Sequence, residues 1–101
     1  MAGQNVVIIK IRKSNSFRGA PILASGSGVG DLGDQDSEET NTMTIRDPDV
    51  NIGMAVYAVL ETANSGQVLA SAIAGVGEVI IGVISIDGSP AGPIKVNYFA
   101  R

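Results

Sequence analysis

The chain reads as a small all-β protein, an antiparallel β-sandwich or jelly-roll-like barrel of six to eight short strands. Three observations predict this. Short apolar segments alternate with a period of two, and strong turn signals separate them about every ten residues through the second half. No segment combines the length, the 3.6-residue apolar period and the caps of a helix. Small and β-branched residues dominate the apolar set, with 13 Gly and only four aromatics, Phe17, Tyr57, Tyr98 and Phe99. That composition suits thin, sheet-based packing. The 101 residues suffice for one domain around one core.

The first element is "NVVIIKIRK", Asn5–Lys13, within an N-terminal arm of residues 1–13. Alternation sets Val7, Ile9 and Ile11 on one face and Val6, Ile8, Lys10 and Arg12 on the other. The second face turns from apolar to basic, as expected of a strand leaving the core for an edge. From Ser14 to Thr40 no strand pattern is sustained beyond the apolar island "APILAS", and a long Gly-rich acidic loop is expected at about 25–41.

The remaining elements are clearer. "NTMTIRD" points Met43 and Ile45 inward and Thr42, Thr44 and Arg46 outward. "GMAVYAVLE", Gly53–Glu61, is apolar on both faces, so both sides are expected to be covered. "QVLASAIA" would place Val68, Leu69, Ala72 and Ile73 on one helical face, but Gly75 and Gly77 cut such a helix short, and a strand is preferred. "EVIIGVISID" reads as a buried strand, and "IKVNYFAR" alternates Ile94, Val96 and Tyr98 against Lys95, Asn97 and Arg101. The turn signals between them are "TANSGQ" and "DGSPAGP".

Several chemistries are disfavoured by what the chain lacks. It has no His and no Cys, so the commonest general base, the best nucleophile and the usual zinc ligands are missing. Enzymatic activity is therefore not expected, nor is a cofactor. The "GSGVGDLG" stretch does spell GxGxxG through Gly28, Gly30 and Gly33. A dinucleotide loop must open a helix, however, and "DQDSEETNT" offers neither an apolar period nor a charge that would accept a pyrophosphate. Asp34, Asp36 and Glu38 space carboxylates like the start of an EF-hand, but Glu39 occupies the required Gly position. A non-EF calcium site at Asp31, Asp34 and Asp36 is the weaker alternative to a plain solvated acidic loop.

Net charge is −3, with Lys10, Arg12, Lys13 and Arg18 concentrated ahead of the acidic stretch. No nucleic-acid partner is expected of an acidic chain with a single aromatic in its basic segment. The N-terminus has neither a signal-peptide pattern nor a membrane span, and no apolar run reaches the roughly 20 residues needed to cross a bilayer. Production in the cytoplasm, without export through a leader, is the corresponding expectation.

From "VYAVLETANSGQVLASAIAGVGEVIIGVISIDGSPAGPIKVNYFAR", the texture of residues 42–101 resembles small β-sandwich structural proteins of tailed bacteriophages. These are head decoration (cement) proteins and the jelly-roll domains of tail or fibre proteins. The shared features are an Ala/Val-rich strand, a glycine break, a β-branched strand, a turn and a final strand. The resemblance implies a non-enzymatic component of a virion, homo-oligomeric and docked on another capsid or tail protein. On that reading Val7, Ile9 and Ile11 would form the contact, with Lys10, Arg12, Lys13 and Arg18 steering it. A β-sandwich receptor- or carbohydrate-binding module, using the 26–39 loop with or without calcium, is the alternative.

Overall fold

A computed structural model describes residues 5–9 and 23–101; the arm beyond Ile9, with Lys10, Ile11, Arg12, Lys13 and Arg18, lies outside the described residues. Seven strands form among them: β1 (Asn5–Ile9), β2 (Ala24–Asp31), β3 (Thr40–Arg46), β4 (Val56–Thr62), β5 (Gln67–Gly75), β6 (Glu78–Ser85) and β7 (Pro93–Ala100). They make a β-sandwich of a four-stranded sheet, β1-β3-β6-β5, over a three-stranded sheet, β2-β7-β4. Every pairing is antiparallel except one. β1 lies parallel to β3, with Val6 beside Met43 and Ile8 beside Ile45.

The alternation seen in the sequence is what fills the space between the sheets. Met43 and Ile45 of β3, Val79, Ile81 and Val83 of β6, and Ile94, Val96 and Tyr98 of β7 all point inward and are buried. Val6 and Ile8 pack against this core, as do Val56, Ala58 and Leu60 of β4 and Leu69 and Ala72 of β5. "QVLASAIA" is a strand, antiparallel to β6, with a register shift between Leu69 and Ser71. The Val76–Gly77 turn joins those two strands, and Gly77 takes φ 67°, a region that disfavours any residue with a Cβ.

Two expectations are corrected. The loop at about 25–41 is in its first part a strand: "ASGSGVGD" pairs with β7 over eight residues, from Ala24 beside Ala100 to Asp31 beside Pro93. Gly26, Gly28 and Gly30 sit opposite the inward Tyr98, Val96 and Ile94, so they face the other sheet. A Cβ on Gly28 would collide with Ile8 Cδ1 and lie 3.1 Å from Ile45 Cδ1, and one on Gly30 would lie 3.0 Å from Met43 Cε. The glycines are there because large side chains from the opposite sheet fill their place. The second correction concerns β4. It is an edge strand, and its outward Tyr57 and Val59 remain 45% and 60% exposed, so only one of its faces is covered.

This packing makes a direct prediction. Gly28→Val forces Ile8 and Ile45 out of place and should cost about 1–3 kcal/mol, the usual range for overpacking. Chemical denaturation measures it. If the paired variant Gly28→Val/Ile8→Ala is no more stable than Gly28→Val alone, the inter-sheet contact is not the cause.

Candidate functional site

The acidic stretch, the first candidate, is compact after β2 ends. Leu32 and Gln35 are buried, and Gln35 exchanges both backbone hydrogen bonds with Ser89, each at 2.9 Å. Its side chain donates to the carbonyls of Val83 (3.0 Å) and Glu39 (3.2 Å) and accepts from Gln67 Nε2 (2.8 Å). Gln67 Oε1 in turn accepts from the Asn64 amide at 2.7 Å. Ser89 Oγ donates to the Ser65 carbonyl at 2.7 Å, which leaves Ser85 Oγ as donor in their 2.7 Å contact. Three connections, β2–β3, β4–β5 and β6–β7, are thereby tied together at one end of the sandwich, and among the described residues no buried side-chain N or O lacks a partner.

Asp31 and Asp34 belong to the same construction. Asp31 Oδ1 accepts from the amides of Gly33 (2.8 Å) and Gly92 (3.1 Å), and Asp34 Oδ1 accepts from the Ala91 amide (2.7 Å). Their carboxylates serve as acceptors that pin the 31–36 segment to the 90–92 segment. Asp36 contributes its amide, donating to Glu39 Oε1 at 3.1 Å. Among the described residues no three acidic side chains are placed to hold a metal ion, so Asp31, Asp34 and Asp36 do not converge as the calcium alternative required. The 32–39 segment is a packed crossover between the sheets, because Leu32 and Gln35 anchor it from within.

At the opposite end lies a buried carboxylate. "RDPD" forms a turn as its Pro and Asp suggest, with Asp47 Oδ1 accepting from the Asp49 amide at 3.0 Å. Asp47 is fully buried, and its Oδ2 accepts the Tyr98 hydroxyl at 2.5 Å. Burial first, then this hydrogen bond and the negative charges of Asp47 and Asp49, push the Tyr98 hydroxyl far above its ordinary range. The pair links the β3 exit to the middle of the core. Period-two alternation marks Tyr98 as inward, but nothing in the sequence pairs it with a residue 51 positions away.

Of the interface residues expected at the N-terminus, Val7 is described. It points away from the core and is 51% exposed, while Val6 and Ile8 take the inward side. Ile9 stands beside Arg46 in the ladder. β1 is the outermost strand of its sheet, and among the described residues no strand pairs with its far edge. A further exposed feature was not anticipated: Tyr57 and Phe99, directly opposite in the β4–β7 ladder, stack with centroids 4.9 Å apart, and the Arg101 guanidinium lies 5.4 Å from the Tyr57 centroid. Beside them Glu61 accepts from Asn97 at 2.8 Å and pairs with Lys95 at 3.0 Å.

Comparison with known proteins finds no matching family model, no matching curated protein and no matching solved structure.

The Asp47–Tyr98 pair carries a sign-definite pH prediction. A hydroxyl whose pKa is raised on folding contributes stability that is intact below the unfolded value of about 10 and is lost as pH rises beyond it. Unfolding free energy should fall above about pH 10 in the natural chain and fall less steeply in Tyr98→Phe. At neutral pH that substitution should cost about 1–3 kcal/mol, because Asp47 loses a buried donor. Identical alkaline slopes for the two proteins would refute the assignment.

Proposed function

We propose that the protein is a non-enzymatic structural component that self-associates and docks on a larger shell. In its finer form the proposal is a capsid-decoration or tail protein of a virus particle. The observation that carries it is the geometry of β1. An outermost strand whose far edge pairs with no described strand, and whose outward Val7 is half exposed, is suited to extending a neighbour's sheet. The virus-particle version is supported by the texture of residues 42–101. Lys10, Arg12, Lys13 and Arg18 follow β1 in sequence and would steer a neighbour by charge, raising the association rate more than the affinity.

The inward Val6 and Ile8 shape the test. Deleting the first 13 residues would remove Val6 and Ile8 from the slot above Gly28 and Gly30, so loss of assembly would be confounded with loss of core. The clean variant keeps the whole chain and replaces Lys10, Arg12, Lys13 and Arg18 with Gln. Light scattering and sedimentation velocity should then show slower, less salt-sensitive association with an unchanged fold. A natural chain that stays monomeric at every concentration, and binds no shell protein offered to it, would overturn the reading.

A further inference from the structure

We infer that the outer face of the four-stranded sheet packs against the same face of a second copy, with the strands of the two copies running antiparallel. This rests on the self-association proposed above and adds a second surface for it beside the β1 edge. Cross-strand register resolves the face into rows. Val7, Thr44, Ile80 and Ile73 form one row, Thr42, Gly82 and Ser71 the next, and Thr40, Ile84 and Val68 a third. At one end a fourth row holds Arg46 and Glu78, directly opposite and ion-paired at 3.6 Å.

Those two are the only charged residues in the four strands. Solvated sheet faces normally carry alternating polar and charged side chains, whereas interface cores are depleted of charge. Here Val7, Val68 and Ile73 are 51%, 47% and 57% exposed, in the places where Lys or Glu would ordinarily stand. The middle row is low, because a Cβ at Gly82 would collide with Ser71 Oγ, so that hydroxyl fills the glycine's space. A shallow trough therefore runs between two rows of β-branched residues, with Thr44 buried between Val7 and Ile80.

Size and charge select the occupant and its direction. Four strands about 4.8 Å apart and seven residues of about 3.4 Å each give a face of about 450 Å². Two such faces together remove about 900 Å², at the small end of specific interfaces, so the contact should be reversible and concentration-dependent. Being charge-free across three rows, the face meets its own copy without like-charge contact despite the chain's net charge of −3. Two-fold packing of the faces allows strands to run parallel or antiparallel. Parallel strands would set the acidic ends side by side. Antiparallel strands bring Glu38 and Glu39, which continue the β3–β6 ladder through bonds with Ser85, to the Arg46 end of the other copy.

The test uses full-length chains in sedimentation equilibrium, with circular dichroism to confirm the fold. Ile73→Lys and Val68→Lys should each weaken self-association at least tenfold. Val59→Lys, on the other sheet's outer face, should leave it unchanged. Arg46→Glu and Glu38→Lys should each associate poorly alone, and an equimolar mixture should recover the natural affinity, since every Arg–Glu contact is restored in reversed or original form. Natural affinity in Ile73→Lys, or equal loss in Val59→Lys, overturns the face. No recovery in the mixture overturns the antiparallel arrangement. A natural chain that is monomeric alone yet binds a shell protein overturns the second copy as occupant and the self-association, while leaving the docking part of the proposed function standing; failure of both kinds of binding removes the two together.

Discussion

The close approach of the two sheets at β2 is the constraint on which the rest of the structure depends. Where Gly28 and Gly30 face the core, Ile8, Ile45 and Met43 reach across and fill the volume that β2 side chains would occupy. Glycine in a strand loses more conformational freedom than any other residue, so the arrangement stands only because large apolar groups occupy what it vacates. It also explains the short parallel strand at the edge. β1 is held by its ladder to β3 and by Val6 and Ile8 against the core, and Ile8 projects toward the slot the glycines leave. Core formation and the placement of the N-terminal strand are thus one event.

A core this thin cannot hold its connections by apolar contact alone, and polar clasps close the two ends. At one end the Gln67-to-Gln35 hydrogen bond, Ser85 and Ser89, and the carboxylates of Asp31 and Asp34 fix the crossover and the approach to β7. At the other, Asp47 joins the turn after β3 to Tyr98, while the Asp47 and Val50 backbones bond Gly77 in the β5–β6 turn. Gln35, Gln67, Ser85, Ser89 and Asp47 are buried and hydrogen-bonded, which makes these clasps directional in a way that Val and Ile contacts are not. Asp31, Asp34 and Glu39 of the acidic stretch accept from backbone amides, and the exposed Glu38, like Asp87 after β6, lies in a connection rather than on a sheet face.

How much of this was legible follows the range of each interaction. Period-two alternation along β3, β6 and β7 is local, and it located the inward Met43, Ile45, Ile94, Val96 and Tyr98 correctly. β2 leaves no such mark, because a strand of glycines has no apolar period to detect. Its signal is the spacing of Gly26, Gly28 and Gly30 by two, which marks a small inward face. The exposure of Tyr57 and Val59 is not legible locally, because apolar residues on both faces predict burial only for a strand flanked and covered, and edge position is a property of topology. Gln35 with Gln67 and Asp47 with Tyr98 are long-range pairs, invisible to any local pattern.

The same topology accounts for where apolar surface is left over. A two-layer sandwich buries one face of each sheet, so each strand that is apolar on both sides must leave one side to solvent or to another molecule. In the four-stranded sheet that situation recurs at Val7, Ile80, Ile84, Val68 and Ile73, aligned by register into rows that no single strand's sequence would reveal. The strand edges are treated differently from the face. β4 and β5 each carry a register shift, a device that discourages edge-to-edge addition, whereas β1 pairs with β3 without one. A chain selected only to stay apart from its copies would place charge on that face and a bulge in β1. Here the charge on that face is confined to the Arg46–Glu78 pair at one end, and β1 pairs with β3 without a bulge.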